Sequence, residues 1–442
     1  MIDKINYNKW FEMALAKQFT ALEISIHENK EMMVSLLDGQ IDENVQSSLA
    51  TMTITGLYQD KKASMYLEKI DETKMEEVLE LLKKQISVLN LKEKNIIFKG
   101  SEYYPEVKEY NFDFKSVNIQ DKYDLLFQAE KELSKSTFLK KIDTISYSES
   151  YFRKRIINSE GLDLKSQMSY ATIYFDGIFE KNEEAEVFSK YFTFKTFDEF
   201  DIPACAQTFL TLGEKRLGAK SLESKGNYPV VFSNEIFAKI LNNFSSIFSG
   251  MSAYRNLTRL KDKEGEKIAS SLITIVDDPL TEKAFFQDQF DDEGVACYTK
   301  TIVEKGIFKQ FIHNLKTSII FNTPPTGNSF KNAISMTNCY VKEGTKSLKE
   351  MISPIKEGVY IDFLIGLHAG INTINGDFSL QANGFQIENG KITTPVKMLI
   401  VSGNFFELLL NIKDIDNDLF FQISGFGSPN VYADDLTIAG SN

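Results

Sequence analysis

Histidine, cysteine and tryptophan are scarce in this chain, at three, three and one in 442 residues. Each scarcity removes a class of function. Cys205, Cys297 and Cys339 lie far apart with no CxxC pair, which excludes a disulfide framework and the usual zinc or redox motifs and leaves reduced, buried thiols as the expectation. His27, His313 and His368 are too dispersed for any two to share a local metal-ligand spacing. No apolar run reaches the length of a membrane span, and MIDKINYNKW lacks the basic-then-apolar order of a signal peptide, so a cytoplasmic location is expected. Lysine and arginine number 50 against 62 acids, a formal charge of −12, and no dense basic run occurs. That balance argues against direct nucleic-acid binding and any membrane surface role. No GxSxG elbow, P-loop or GxGxxG before a helix is present.

What is abundant is phenylalanine, at 35 residues, and glycine, which densely punctuates one stretch, Gly366 to Leu409. Its centre is FQIE-NG-KITT. Asn389-Gly390 supplies the two positive-φ residues of a tight hairpin turn. Around it Glu388 faces Lys391 and Ile387 faces Ile392, so charge and apolar face agree on one antiparallel register. Glycines at 366, 370, 376, 384, 390 and 403 indicate bends or a closely approached backbone.

The remaining chain reads as α+β. A helix at Tyr7–Lys17 precedes strand-like runs near 21–26, 32–37 and 48–58, then a helix that Thr73 and Glu76 open as a capping box, with Met75, Val78, Leu79, Leu82 and Ile86 on one stripe. Residues 90–118 form an irregular crossover. Asp121 then caps a helix to about Ser134, strands follow at 142–147, 151–158, 162–175 and 185–194, and a helix spans about 200–217 with Pro203 in its first turn. Helix, antiparallel strands, helix thus occurs twice, in 1–112 and 113–222, which suggests structural duplication within what is one domain or two. LESKGNYP marks the boundary to a mainly β region, 223–442. There Ser233 caps one long helix whose Ile236, Phe237, Ile240, Leu241, Phe244, Ile247 and Phe248 demand burial. A hairpin at Lys305-Gly306, a Pro324-Pro325 loop and one further helix near Ser347–Ile352 complete the expectation.

Local chemistry is sparse. Asp277-Asp278 and Asp291-Asp292-Glu293 offer oxygen ligands, yet acids beside proline or glycine are ordinarily solvated turns. His368, between glycines in GLHAG, is the accessible histidine and a weak catalytic candidate, while His27 and His313 read as edge or surface residues.

GDFSLQANGFQIENGKITTPVKMLIVSGNFFELL resembles the C-terminal signature of the TldD/PmbA family, peptidase-related proteins also called modulators of DNA gyrase. NSEG at Asn158–Gly161, FDDEGVACYTKTIVEKGIFKQFIHN at Phe290–Asn314 and SPNVYADDLTIAG near the end match as well. Catalytic members carry His-Glu-x-x-x-His on the helix after the first C-terminal strand, with two imidazoles on zinc and the glutamate as general base. By resemblance those positions here are Asn242, Asn243 and Ile247, and the sheet segment that supplies a cysteine ligand reads Ser379–Gly384, SLQANG. None of these side chains does the ligand's work. The resemblance therefore implies the PmbA (TldE)-like branch: a non-catalytic partner of a TldD-like zinc peptidase, acting on peptides, with no cofactor of its own and zinc only in the partner. The alternatives are a self-sufficient metallopeptidase or hydrolase with an atypical site, and a peptide-binding homodimer.

Overall fold

The structure is a computed structural model that describes residues 5–89, 95–222 and 225–440. Parts of three sequence expectations fall outside it: the first four residues, residues 90–94 of the irregular crossover, and Glu223-Ser224 in LESKGNYP. The chain divides into two units, Met1–Glu102 with Lys108–Leu217, and Tyr103–Val107 with Gly218–Asn442. Its class is α+β, as the sequence indicates.

The first unit is built on six antiparallel strands: β1 (Ala21–Leu37), β2 (Gln40–Tyr58), β3 (Lys61–Leu67), β4 (Leu139–Asn158), β5 (Asp163–Lys181) and β6 (Glu184–Phe194). The order is β3-β2-β1-β4-β5-β6, with β1 and β4 paired at the centre. Each half therefore runs outward from its own first strand, and the strand order of the two halves agrees. Helices α1 (Tyr7–Ala16) and α2 (Met75–Ser87) pack on one half, α3 (Ile119–Leu133) and α4 (Ile202–Glu214) on the other.

Alternation in β1 explains the layering. Leu22, Ile24 and Ile26 enter the core with α1 and α2, and Met32, Val34 and Leu36 enter the core with α3 and α4. Between them, in the same phase, stand Glu28 and Lys30. The polar stretch HENKE, which splits β1 into two runs in the sequence, does not break the strand, because β2 and β4 pair with it on both sides. For the same reason β4 is continuous where the sequence suggests runs at 142–147 and 151–158; β3 was not anticipated. Two caps also differ. Asp71 accepts from Thr73 N at a short 3₁₀ turn before α2, replacing the Thr73/Glu76 box, and Asn118 rather than Asp121 opens α3.

Close packing sets one exchange in this unit. Helix propensity alone favours Gly213→Ala in α4 by roughly 1 kcal/mol. A Cβ there overlaps the Phe179 ring, itself fully buried. Overpacking wins, so the variant should lose about 1–3 kcal/mol, read by the fluorescence of Trp10, the sole tryptophan, buried in this unit. A stabilised variant would refute this account.

The second unit contains a sheet in the order Lys391–Asn404, Asp377–Glu388, Glu357–Ile365, β7 (Gly226–Phe232), Val431–Gly440 and Ile412–Ile415. Leu399–Ser402 also pairs with Thr437–Gly440, which closes five of these strands into a ring. The Asn389-Gly390 turn has φ of 49° and 74°, and Glu388 opposes Lys391 as the sequence requires. Gly384 sits at a register shift with its α-carbon against the Tyr360 carbonyl, where no side chain fits. A second sheet of short strands includes Ile275–Asp277, Lys300–Glu304 and Cys339–Val341. Beyond the Leu348–Ile352 helix, three short helices appear that the sequence did not announce: Gly250–Tyr254, Leu315–Phe321 and Phe405–Leu410.

Candidate functional site

Helix α5 (Asn234–Phe244) follows β7, with Ser233 Oγ accepting from Ile236 N at 3.3 Å as its cap. It packs against strands of both sheets, and Ile236, Phe237, Ile240, Leu241 and Phe244 are buried along it. Phe244 stacks on Phe405 at 4.3 Å between ring centres. After Phe244 the chain tightens into a 3₁₀ turn, Ser245–Phe248, so the three motif positions straddle two conformations.

Asn243 turns its amide back onto its own helix, Nδ2 donating to Lys239 O at 2.8 Å, and the Asn242 carbonyl accepts from Ser245 Oγ at 2.7 Å. Ile247 is 1 % exposed in the core. On the Asp377–Glu388 strand, Leu380 and Ala382 point into the core, Ser379 Oγ lies 3.0 Å from Ser402 Oγ, and Asn383 Oδ1 accepts from Met398 N at 3.0 Å. Two carboxamides, a methyl-bearing side chain and a segment without a thiol do not fit zinc, and no catalytic step is assigned to a metal on this chain. Cys297 and Cys339 are buried elsewhere, with burial pushing both thiols well up. Among the described residues no three His, Cys, Asp or Glu side chains gather as a metal-ligand set.

His368 is exposed in the turn where Gly370 N bonds to Gly366 O, and His27 is exposed on β1. His313 differs from the surface position expected of it. It is 6 % exposed, with Nδ1 3.2 Å from Thr317 Oγ1 and its ring against Gly250, and burial pushes it down to about 4. The neutral imidazole serves as packing between the Gly250–Tyr254 and Leu315–Phe321 helices.

The acid pairs are not the solvated turns expected from their neighbours either. Asp277 is fully buried and salt-bridged to Lys300 at 3.0 Å; it also accepts from Asn328 Nδ2 at 2.8 Å and from Thr337 N at 2.8 Å. These partners stand 23, 51 and 60 residues away, which is why no local pattern reveals them. Asp291, also fully buried, accepts from Glu293 N, Val295 N and Ser329 N. Glu293 accepts from Leu315 N. Carboxylates whose oxygens are committed to holding loops are structural, not cation sites.

The family model described as the PmbA/TldA metallopeptidase C-terminal domain matches residues 225–440, and that of the central domain matches 112–217. A metalloprotease of Methanocaldococcus jannaschii is 25% identical over 421 residues, covering 91% of this chain and 90% of the relative. A zinc metalloprotease TldD homologue of Saccharolobus solfataricus is 30% identical over 305 residues, covering 65% and 66%. A crystal structure from Thermotoga maritima, described as a candidate modulator of a DNA gyrase, superposes with a TM-score of 0.90 at 28% identity, covering 98% of this chain and 99% of the other.

Proposed function

Since the chain belongs to the PmbA/TldD family of peptidase-related proteins, we propose that it is a PmbA (TldE)-like, non-catalytic subunit of a TldD-type zinc metallopeptidase complex that degrades or processes peptides in the cytoplasm. One observation carries the reading. Helix α5 keeps its buried apolar stripe while positions 242, 243 and 247 present two amides and an isoleucine. Zinc and the general base then come from a TldD-like partner, and this chain contributes fold and surface. Nothing in its charge supports a direct role on DNA. The self-sufficient hydrolase built on His368 is disfavoured because, among the described residues, no carboxylate bonds to that exposed ring.

Co-expression with a chain that carries the intact His-Glu-x-x-x-His motif provides the test. The expected result is a stoichiometric complex that cleaves peptides and is silenced by a chelator, while the present chain alone neither cleaves nor retains zinc. Stoichiometric zinc on the isolated chain, together with peptide cleavage, would overturn the proposal.

A further inference from the structure

The first unit contains a cleft of about 1160 Å³ that the peptidase reading leaves without a task. It arises where the β1 alternation turns polar. With Glu28 and Lys30 in the phase occupied elsewhere by Leu, Ile, Met and Val, neither helix pair has an apolar strip to cover, and the sheet floor stays open between the two cores. Lys30 lies over the Tyr151 ring at 5.5 Å, and Ser48 is its partner on β2.

At the base, Lys122 Nζ donates to Glu149 Oε2 at 2.7 Å, and Tyr147 Oη donates to the same oxygen at 3.1 Å. The Lys122 and Glu149 side chains are 3% and 8% exposed. An ammonium has three donors and a carboxylate two accepting oxygens. The other neighbours of the ammonium are the Met32 sulfur at 3.9 Å and the Tyr147 ring at 5.8 Å, and Glu149 Oε1 takes no donor among the described residues. A buried pair with both an unused donor and an unused acceptor on a cleft wall calls for a ligand that offers the converse of each. The lining as a whole has no net sign, since Lys30 and Lys115 offset Glu31 and Asp113, so neither an anion nor a cation is selected.

The cleft reaches β2, whose pairing with β3 begins only at Met52. From Gln40 to Thr51 the outer edge has no neighbouring strand among the described residues. The segment QIDENVQSSLAT also lacks the lysine or proline that ordinarily defends an edge.

We infer that this cleft binds an extended, electrically neutral peptide segment, with a peptide carbonyl accepting from Lys122, a peptide N–H donating to Glu149 Oε1, and further main-chain pairing along the open β2 edge. The inference deepens the peptide-handling role proposed above, but it concerns a site independent of the zinc partner.

The test uses the full chain and a fluorescein-labelled peptide of roughly ten Ser, Gln, Ala and Gly residues, enough to follow the open edge at about 3.3 Å per residue. Saturable binding is expected by anisotropy, with hydrogen-exchange protection in residues 44–48 and 111–119. Ser48→Trp fills the floor without touching either core and should weaken binding about tenfold or more. Lys122→Met with Glu149→Gln keeps the volume, removes the charges and should do the same. Trp10 fluorescence reports whether each variant remains folded. Val187→Thr, 70% exposed on β6, should bind as the parent does. Unchanged affinity in the two cleft variants, or no saturable binding by the parent, overturns the inference. Formation of the zinc complex with the partner would stand in either case, so the two failures are told apart.

Discussion

Replacing Asp277 with alanine should remove about 3–5 kcal/mol from the stability of the second unit, the largest loss expected of any single exchange at this site. The reason lies in what is left behind. Lys300 is 1% exposed at its side chain, with Asp277 as its ion-pair partner, and Asn328 Nδ2 and Thr337 N also lose an acceptor. A buried ammonium without a carboxylate costs far more than the pair contributes when intact. Lys300→Met should cost less, because methionine fills the space and the stranded carboxylate keeps its amide donors. The double variant Asp277→Ala with Lys300→Met should be milder than the sum of the two single changes. Urea unfolding followed by far-UV circular dichroism measures these losses, with Trp10 fluorescence reporting the first unit separately. A loss below about 1 kcal/mol for Asp277→Ala, or strict additivity in the cycle, would sink the argument.

Asp291 should make the second unit less stable as pH rises from about 4 to 7. Burial, the dominant influence, pushes its carboxyl up to about 7, outweighing the three backbone N–H donors that favour the charged form. The folded state thus holds the proton more tightly than the unfolded chain, whose aspartate ionises at the ordinary value of 3.8. The stabilisation is complete below the unfolded value and is lost as pH passes through the folded one, with a slope approaching 1.4 kcal/mol per pH unit, roughly, between them. Asp291→Asn should flatten this part of the profile while turning an NH₂ toward Ser329 N. Asp291→Ala should strand three N–H groups at about 1–3 kcal/mol each where water cannot reach them. Thermal unfolding of parent and Asp291→Asn across this pH range decides the matter, and parallel profiles would end the assignment.

These two acids also show where sequence reading stops. The Asn389-Gly390 hairpin, the Ser233 cap and the α5 stripe were legible because their causes lie within a few residues of each other. The burial of Asp277 and Asp291 was not, since it depends on partners brought in from distant loops, and a Pro or Gly neighbour carries the same local signature in a solvated turn. His313 misled for a similar reason: its strand-end context suggests a surface, while the Gly250 and Thr317 contacts that bury it are tertiary. The HENKE run in β1 looked like a break because the polarity that opens a cleft and the polarity of a loop are identical in one dimension. For the candidate site, the resemblance located positions 242, 243 and 247. The structure adds that Ile247 lies in the core and that both asparagines are on the last turn of a helix.

The ring of strands in the second unit has a consequence for how the protein is made. Val431 pairs with Phe232, and Thr437 with Ser402, so the strand that seals the ring emerges from the ribosome long after β7 and α5. Phe420–Phe421 and Gly427–Ser428, which pack on α5, also come late, so until they arrive the greasy flank of α5 lacks part of its cover. Pairing between strands so far apart in sequence implies slow maturation of this unit.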